Sequence, residues 1–165
     1  MKLTICSLVL TTLFFSSNLL FAQSKLNDIN PNETPKAVFD VLGRYTAILR
    51  QSESLDQCAE RFAAVAGGSL VNEDGETLRG TVKPYALKKD FQNIQFYQSP
   101  VKVTRVNKQE NRSSGFGPSA IRGTMYKIWI AKKDGASGMP APISIMVPEG
   151  HPSIKEPKVV GIGSL

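Results

Sequence analysis

The pattern of the chain predicts an α+β domain, with helices at the front packed on one face of a largely antiparallel sheet. Three observations lead there. Apolar residues Val38, Val41, Leu42, Tyr45, Ile48 and Leu49 follow the i, i+3, i+4, i+7 spacing of one helical stripe. Leu55, Cys58, Ala59, Phe62, Ala63 and Ala66 form a second stripe, stopped by Gly67-Gly68. After Asn93 the helical period disappears, and short Val-, Ile- and aromatic-rich runs alternate with turn residues. Helices first and strands afterwards is the α+β order. A length of 165 residues with 41% hydrophobic content suits one globular domain and excludes collagen, a low-complexity chain or a disulfide scaffold.

The elements follow in order. Lys2, the apolar run 3–21 and the small residue Ala22 before Gln23 read as a secretory signal over residues 1–22. The expectation is an exported protein, periplasmic or secreted, that meets the membrane only through its signal before cleavage. Cys58 is then the only cysteine left, so no internal disulfide forms. Residues 23–34 read as a polar linker or tail, and 35–165 as a single domain. Thr34-Pro35 supplies an N-cap and a first-turn proline for a helix ending near Gln51. Ser54 with Gln57 is a capping box for the second helix. Residues 69–78 read as a short hairpin turning at Asn72-Glu73-Asp74-Gly75. Lys83-Pro84 opens a third, shorter helix with Leu87 and Phe91 on its inner face. Strands are expected over Phe96–Val106, with Pro100 marking an edge or bulge, then over Ala120–Lys133, Ile143–Val147 and Lys158–Ile162. Asn107–Ser119 reads as a polar loop. Apolar residues on both faces of the 120–133 strand predict either cover on both sides or a bulge.

Arg44-Tyr45 on the first helix, the polar break 51–54, the second helix, the short hairpin, and Gly80 leading into the third helix together resemble the nuclear-transport-factor-2-like superfamily. Ketosteroid isomerase, scytalone dehydratase and the polyketide cyclases are members. The resemblance spans most of 35–165 and implies a curved sheet wrapped around the helices, cone-shaped, with a pocket between. It also implies sheet-mediated homodimers as a common assembly. In the isomerase a helix tyrosine and a protonated acid stabilise an oxyanion while a carboxylate moves the proton. Tyr45 matches the tyrosine and Glu73 lies near the base position. No carboxylate stands near the acid position, where Thr124 to Lys127 fall, so the constellation is at most partial.

Other chemistries find little support. The only His, His151, sits in a Gly-His-Pro loop and reads as solvent-exposed; with Cys58 it makes no metal-ligand cluster. No cofactor motif is present: Gly115-Phe116-Gly117 is a lone Gly-x-Gly outside any strand–helix pattern. Cys58 on an apolar stripe reads as core. Residues 79–133 hold 12 basic and 2 acidic side chains, a net +10 that either solvates an outer face or meets an anionic partner. Export argues against nucleic acid. The candidate pocket residues are Tyr45, Phe62, Tyr97, Tyr126 and Trp129, each with core packing as the plain alternative, and Arg122 if it points inward. The leading expectation is a small, mostly apolar ligand in a pocket between helices and sheet. The alternatives are an interaction or dimerisation module at the cell envelope, and an acid–base enzyme using Tyr45 with Glu73.

Overall fold

The computed structural model describes residues 27–139, 142–163 and 165, so the secretory signal expected over 1–22 lies outside the described residues. The domain is α+β, with three helices and a five-stranded antiparallel sheet. We label the strands β1 (Asp28–Ile29), β2 (Val103–Ser114), β3 (Ile121–Ile130), β4 (Ile143–Pro148) and β5 (Lys158–Gly161), adjacent in that order. The helices are α1 (Lys36–Gln51), α2 (Leu55–Ala63) and α3 (Lys88–Asn93), the last entered through a π-helical stretch, Val82–Leu87.

β1 comes from the stretch the sequence assigns to the linker. Asp28 and Ile29 pair with Asn107 and Val106, and the Asp28 carboxylate receives the Arg105 guanidinium at 2.9 Å. The polar composition hid this, because a two-residue edge strand is held by backbone pairing and polar side chains, here including the Asn107 amide, which donates to Asp28 Oδ1 at 3.0 Å. Helix α1 starts one residue later than Thr34-Pro35 suggests, with Pro35 as N-cap, and the Thr34 hydroxyl is buried without a protein partner. At α2 the Ser54 hydroxyl accepts from Gln57 N at 3.2 Å, while the Gln57 side chain accepts from Glu53 N at 2.8 Å, one residue before the usual capping-box position. α2 ends at Ala63, short of the apolar stripe, and its exit is tied to the sheet: Val159 N donates to Val65 O and Gly67 N donates to Val159 O. The expected hairpin shrinks to one bridge, Val71–Leu78, around a turn closed by Asp74.

The strands differ from expectation at β2. Residues 94–96 form a 3-10 turn rather than strand, and β2 runs on through the predicted loop to Ser114. A bulge between Gln109 and Arg112, with Asn111 at a φ of 54°, absorbs the polar sequence there. Apolar residues on both faces of β3 mean cover on both sides. Tyr126, Ile128 and Ile130 join Ile143, Ile145 and Val159 in the helix-facing core. Ile121 and Met125 face the other way, with Met146, Val160 and Ile154 of the 150–157 segment.

Buried side chains occupy the region between helices and sheet. Tyr45, Leu49, Phe62, Ile128 and Ile145 are essentially inaccessible. Each such side chain contributes roughly 1.5–3 kcal/mol of burial. Open space lies at the margin of this core, beside Phe96 and the 132–137 turn.

Candidate functional site

Two connected features lie where α3, the end of β3 and the C-terminal segment meet. The first is a buried carboxylate. Asp90 stands three residues after Leu87 and one before Phe91, on the inner side of α3, and is fully inaccessible. Its Oδ2 accepts from the Tyr45 hydroxyl at 2.8 Å and from Gly163 N at 2.9 Å, and its Oδ1 accepts from Leu165 N at 2.9 Å. Burial pushes the Asp90 carboxyl above its ordinary range, and the hydrogen bonds from Gly163, Tyr45 and Leu165 oppose that. Burial also drives the Tyr45 phenol well above its usual value, with the Asp90 charge adding to the effect. A phenol so placed stays protonated and acts as a hydrogen-bond donor. Asp90 therefore bolts α1, α3 and the final residues together.

The second feature is a groove of about 560 Å³ beside that bolt. After the 3-10 turn, residues 96–98 run along the end of β3: Gln98 N donates to Ala131 O and Lys133 N donates to Phe96 O. Arg50, at the end of α1, pins this segment through Gln98 O at 2.9 Å. Phe96 and Tyr97 thus form one wall, the 132–137 turn another, and Leu165, held by the Asn93 amide at 2.8 Å, a third. The Lys132 ammonium lies 5.5 Å from the centre of the Tyr97 ring and donates to Ser137 O at 2.5 Å. The Tyr97 hydroxyl is buried with no protein partner, and burial raises its pKa, with a smaller contribution from Asp90. A buried phenol normally finds a partner. A shallower depression of about 510 Å³, between Tyr85 and Gly163, has no unpartnered buried polar atom among its lining residues.

The residues singled out in the sequence do not share one cavity. Tyr45 and Phe62 pack ring to ring, 5.1 Å between centroids, inside the core. Tyr126 is buried among the core residues of β3 and β4. Trp129 lies on the opposite sheet face, with the Arg105 guanidinium 4.4 Å over its ring. Arg122 is exposed. Glu73 is exposed in the 72–77 turn, beside Gly117, while the Tyr45 hydroxyl is committed to Asp90. Only Tyr97 lines the groove. Asp90 and Lys132 were missed. A lone carboxylate on the apolar stripe Leu87–Asp90–Phe91 was the available signal for the first; for Lys132 there was none.

His151 is not a solvent-exposed loop residue. It is buried, its Nδ1 accepts from Ile154 N at 2.9 Å and Ser153 N at 3.2 Å, and its Nε2 lies 3.1 Å from Pro118 O. Two amide donors on Nδ1 and a carbonyl on Nε2 assign the neutral tautomer with its proton on Nε2. The ring fastens the 150–155 segment over the outer apolar cluster. Gly115 is explained by packing: a Cβ there would meet the Gly68 backbone at 2.7 Å. Cys58 is buried, and burial raises its thiol pKa, so it is no nucleophile in this state. Among the described residues no three His, Cys, Asp or Glu side chains are grouped to hold a metal, and no helix is long and apolar enough to cross a membrane. Comparison with protein-family models, curated proteins and solved structures returned no match.

Proposed function

We propose that this protein is an exported, non-enzymatic small-ligand-binding domain of the nuclear-transport-factor-2-like, cone-shaped type. Its ligand site is the groove lined by Phe96, Tyr97 and Lys132 rather than the centre of the fold. One observation carries the reading: the groove is walled by the exposed Phe96 ring and by the half-buried Lys132, whose ammonium lies over the Tyr97 ring. Binding sites combine apolar walls with a few polar groups that fix orientation, and this groove has both. The burial of Tyr45, Phe62 and Tyr126 in the core speaks against the wider pocket between helices and sheet, and the separation of Tyr45 from the exposed Glu73 speaks against acid–base turnover. Native mass spectrometry of the chain, purified after export through its own signal, tests the reading. The expected result is a reproducible extra mass of a few hundred daltons, lost on Phe96→Ala and retained on Trp129→Phe. A bare mass, together with no groove response to added small amphiphiles, refutes it and favours the interaction module.

A further inference from the structure

We infer that the groove selects an amphiphilic monoanion, its apolar body against Phe96 and its anionic head at Lys132. This deepens the ligand-binding proposal and rests on it. Lys132 is half-buried, with its ammonium over the Tyr97 ring and one donated hydrogen bond, to Ser137 O. An ammonium has three donors, so donor capacity beyond the Ser137 bond remains on a residue that lines the groove. Among the described residues no carboxylate lies within 4 Å of Lys132 or Lys133. The one acidic side chain in the lining, Asp134, is exposed at the turn.

A neutral body laid across Lys132 strips water from the ammonium without replacing it, which is unfavourable. An anionic head replaces that water with a charge-assisted hydrogen bond. Lys133, which also lines the groove, adds a second positive charge that favours an anion and disfavours a cation. The Asn93 amide at the other end of the groove already donates to Leu165 O. The charged head therefore belongs at the Lys132 end.

The test compares decanoate with decanol, which share a chain and differ in head charge, by calorimetric titration and backbone-amide NMR shifts of the full exported chain. Decanoate is expected to bind about tenfold or more tightly than decanol, to shift Phe96, Tyr97 and Lys132, and to weaken as salt rises. Lys132→Gln should reduce decanoate to the level of decanol, and Lys132→Arg should keep the preference. An unchanged melting temperature in Lys132→Gln shows that the loss is not unfolding; if that variant melts early, Lys132→Met gives the same comparison. Equal binding of both probes, or a preference that survives Lys132→Gln, overturns the anion selectivity while the ligand-binding proposal stands. If neither probe nor a neutral aromatic such as indole shifts the groove residues, both fall.

Discussion

Replacing Tyr45 by Phe removes one oxygen atom from the centre of the domain and leaves the ring on Phe62. That oxygen donates at 2.8 Å to a carboxylate with no solvent access, which also holds Gly163 N and Leu165 N. A hydrogen bond to a charged group contributes roughly 1.5–3 kcal/mol, and no water can reach Asp90 without opening the packing. Tyr45→Phe should therefore cost about 2 kcal/mol, or roughly 4–10 °C in Tm for a domain of this size. Urea and thermal melts measure it. In a double-mutant cycle with Asp90→Asn, the two losses should be non-additive by about 1 kcal/mol or more. The cost should also depend on pH. Burial holds the Asp90 carboxyl above its ordinary range, so its contribution to stability is full below that range and is lost as pH rises through the folded value. The Tyr45 hydroxyl pulls that value back down, and its removal lets it rise further. The penalty of Tyr45→Phe is thus larger at neutral pH than in acid, where Asp90 is protonated in both proteins. A loss below about 0.5 kcal/mol at neutral pH, or additive effects in the cycle, would refute the bolt.

Two further perturbations test the same physics elsewhere. His151→Ala leaves Ser153 N, Ile154 N and Pro118 O without their partner and should cost about 1–3 kcal/mol; His151→Asn, whose side-chain oxygen can accept from the same two amides, should recover part of it in the same melts. Gly123→Ala places a Cβ 2.1 Å from Val147 O at a φ of 149°, so it should cost about 3 kcal/mol or more and lower the yield of folded protein, as read by near-ultraviolet circular dichroism; a native melting curve would mean that β3 and β4 can separate locally without loss.

The helices were legible because their signal is local. The stripe from Val38 to Leu49 and the Ser54 cap state their geometry within a few residues, and α1 and the start of α2 lie where that periodicity puts them. The strands were legible where burial enforces alternation, as from Tyr126 to Ile130. They were not legible where pairing alone decides, as at Asp28–Ile29 and at the polar half of β2, because a backbone ladder needs no particular side chain. The candidate site was legible only at Tyr97. Trp129 and Tyr126 sit three residues apart on one strand and fall on opposite faces, so an aromatic cluster in sequence was split by the pleat.

By itself the sequence determined that α1 to α3 precede β2 to β5, and it determined the apolar faces of those elements. These follow from composition and periodicity, which are properties of neighbours along the chain. Tertiary structure alone decided that Asp90 is a buried joint rather than a surface charge. It also buried His151 as a fastening and left Tyr97, Lys132 and Leu165 sharing one groove. Each of these depends on at least one contact between residues 30 or more positions apart, such as Tyr45 with Asp90 and His151 with Pro118. No local pattern encodes such contacts, because packing chooses them only after the elements exist.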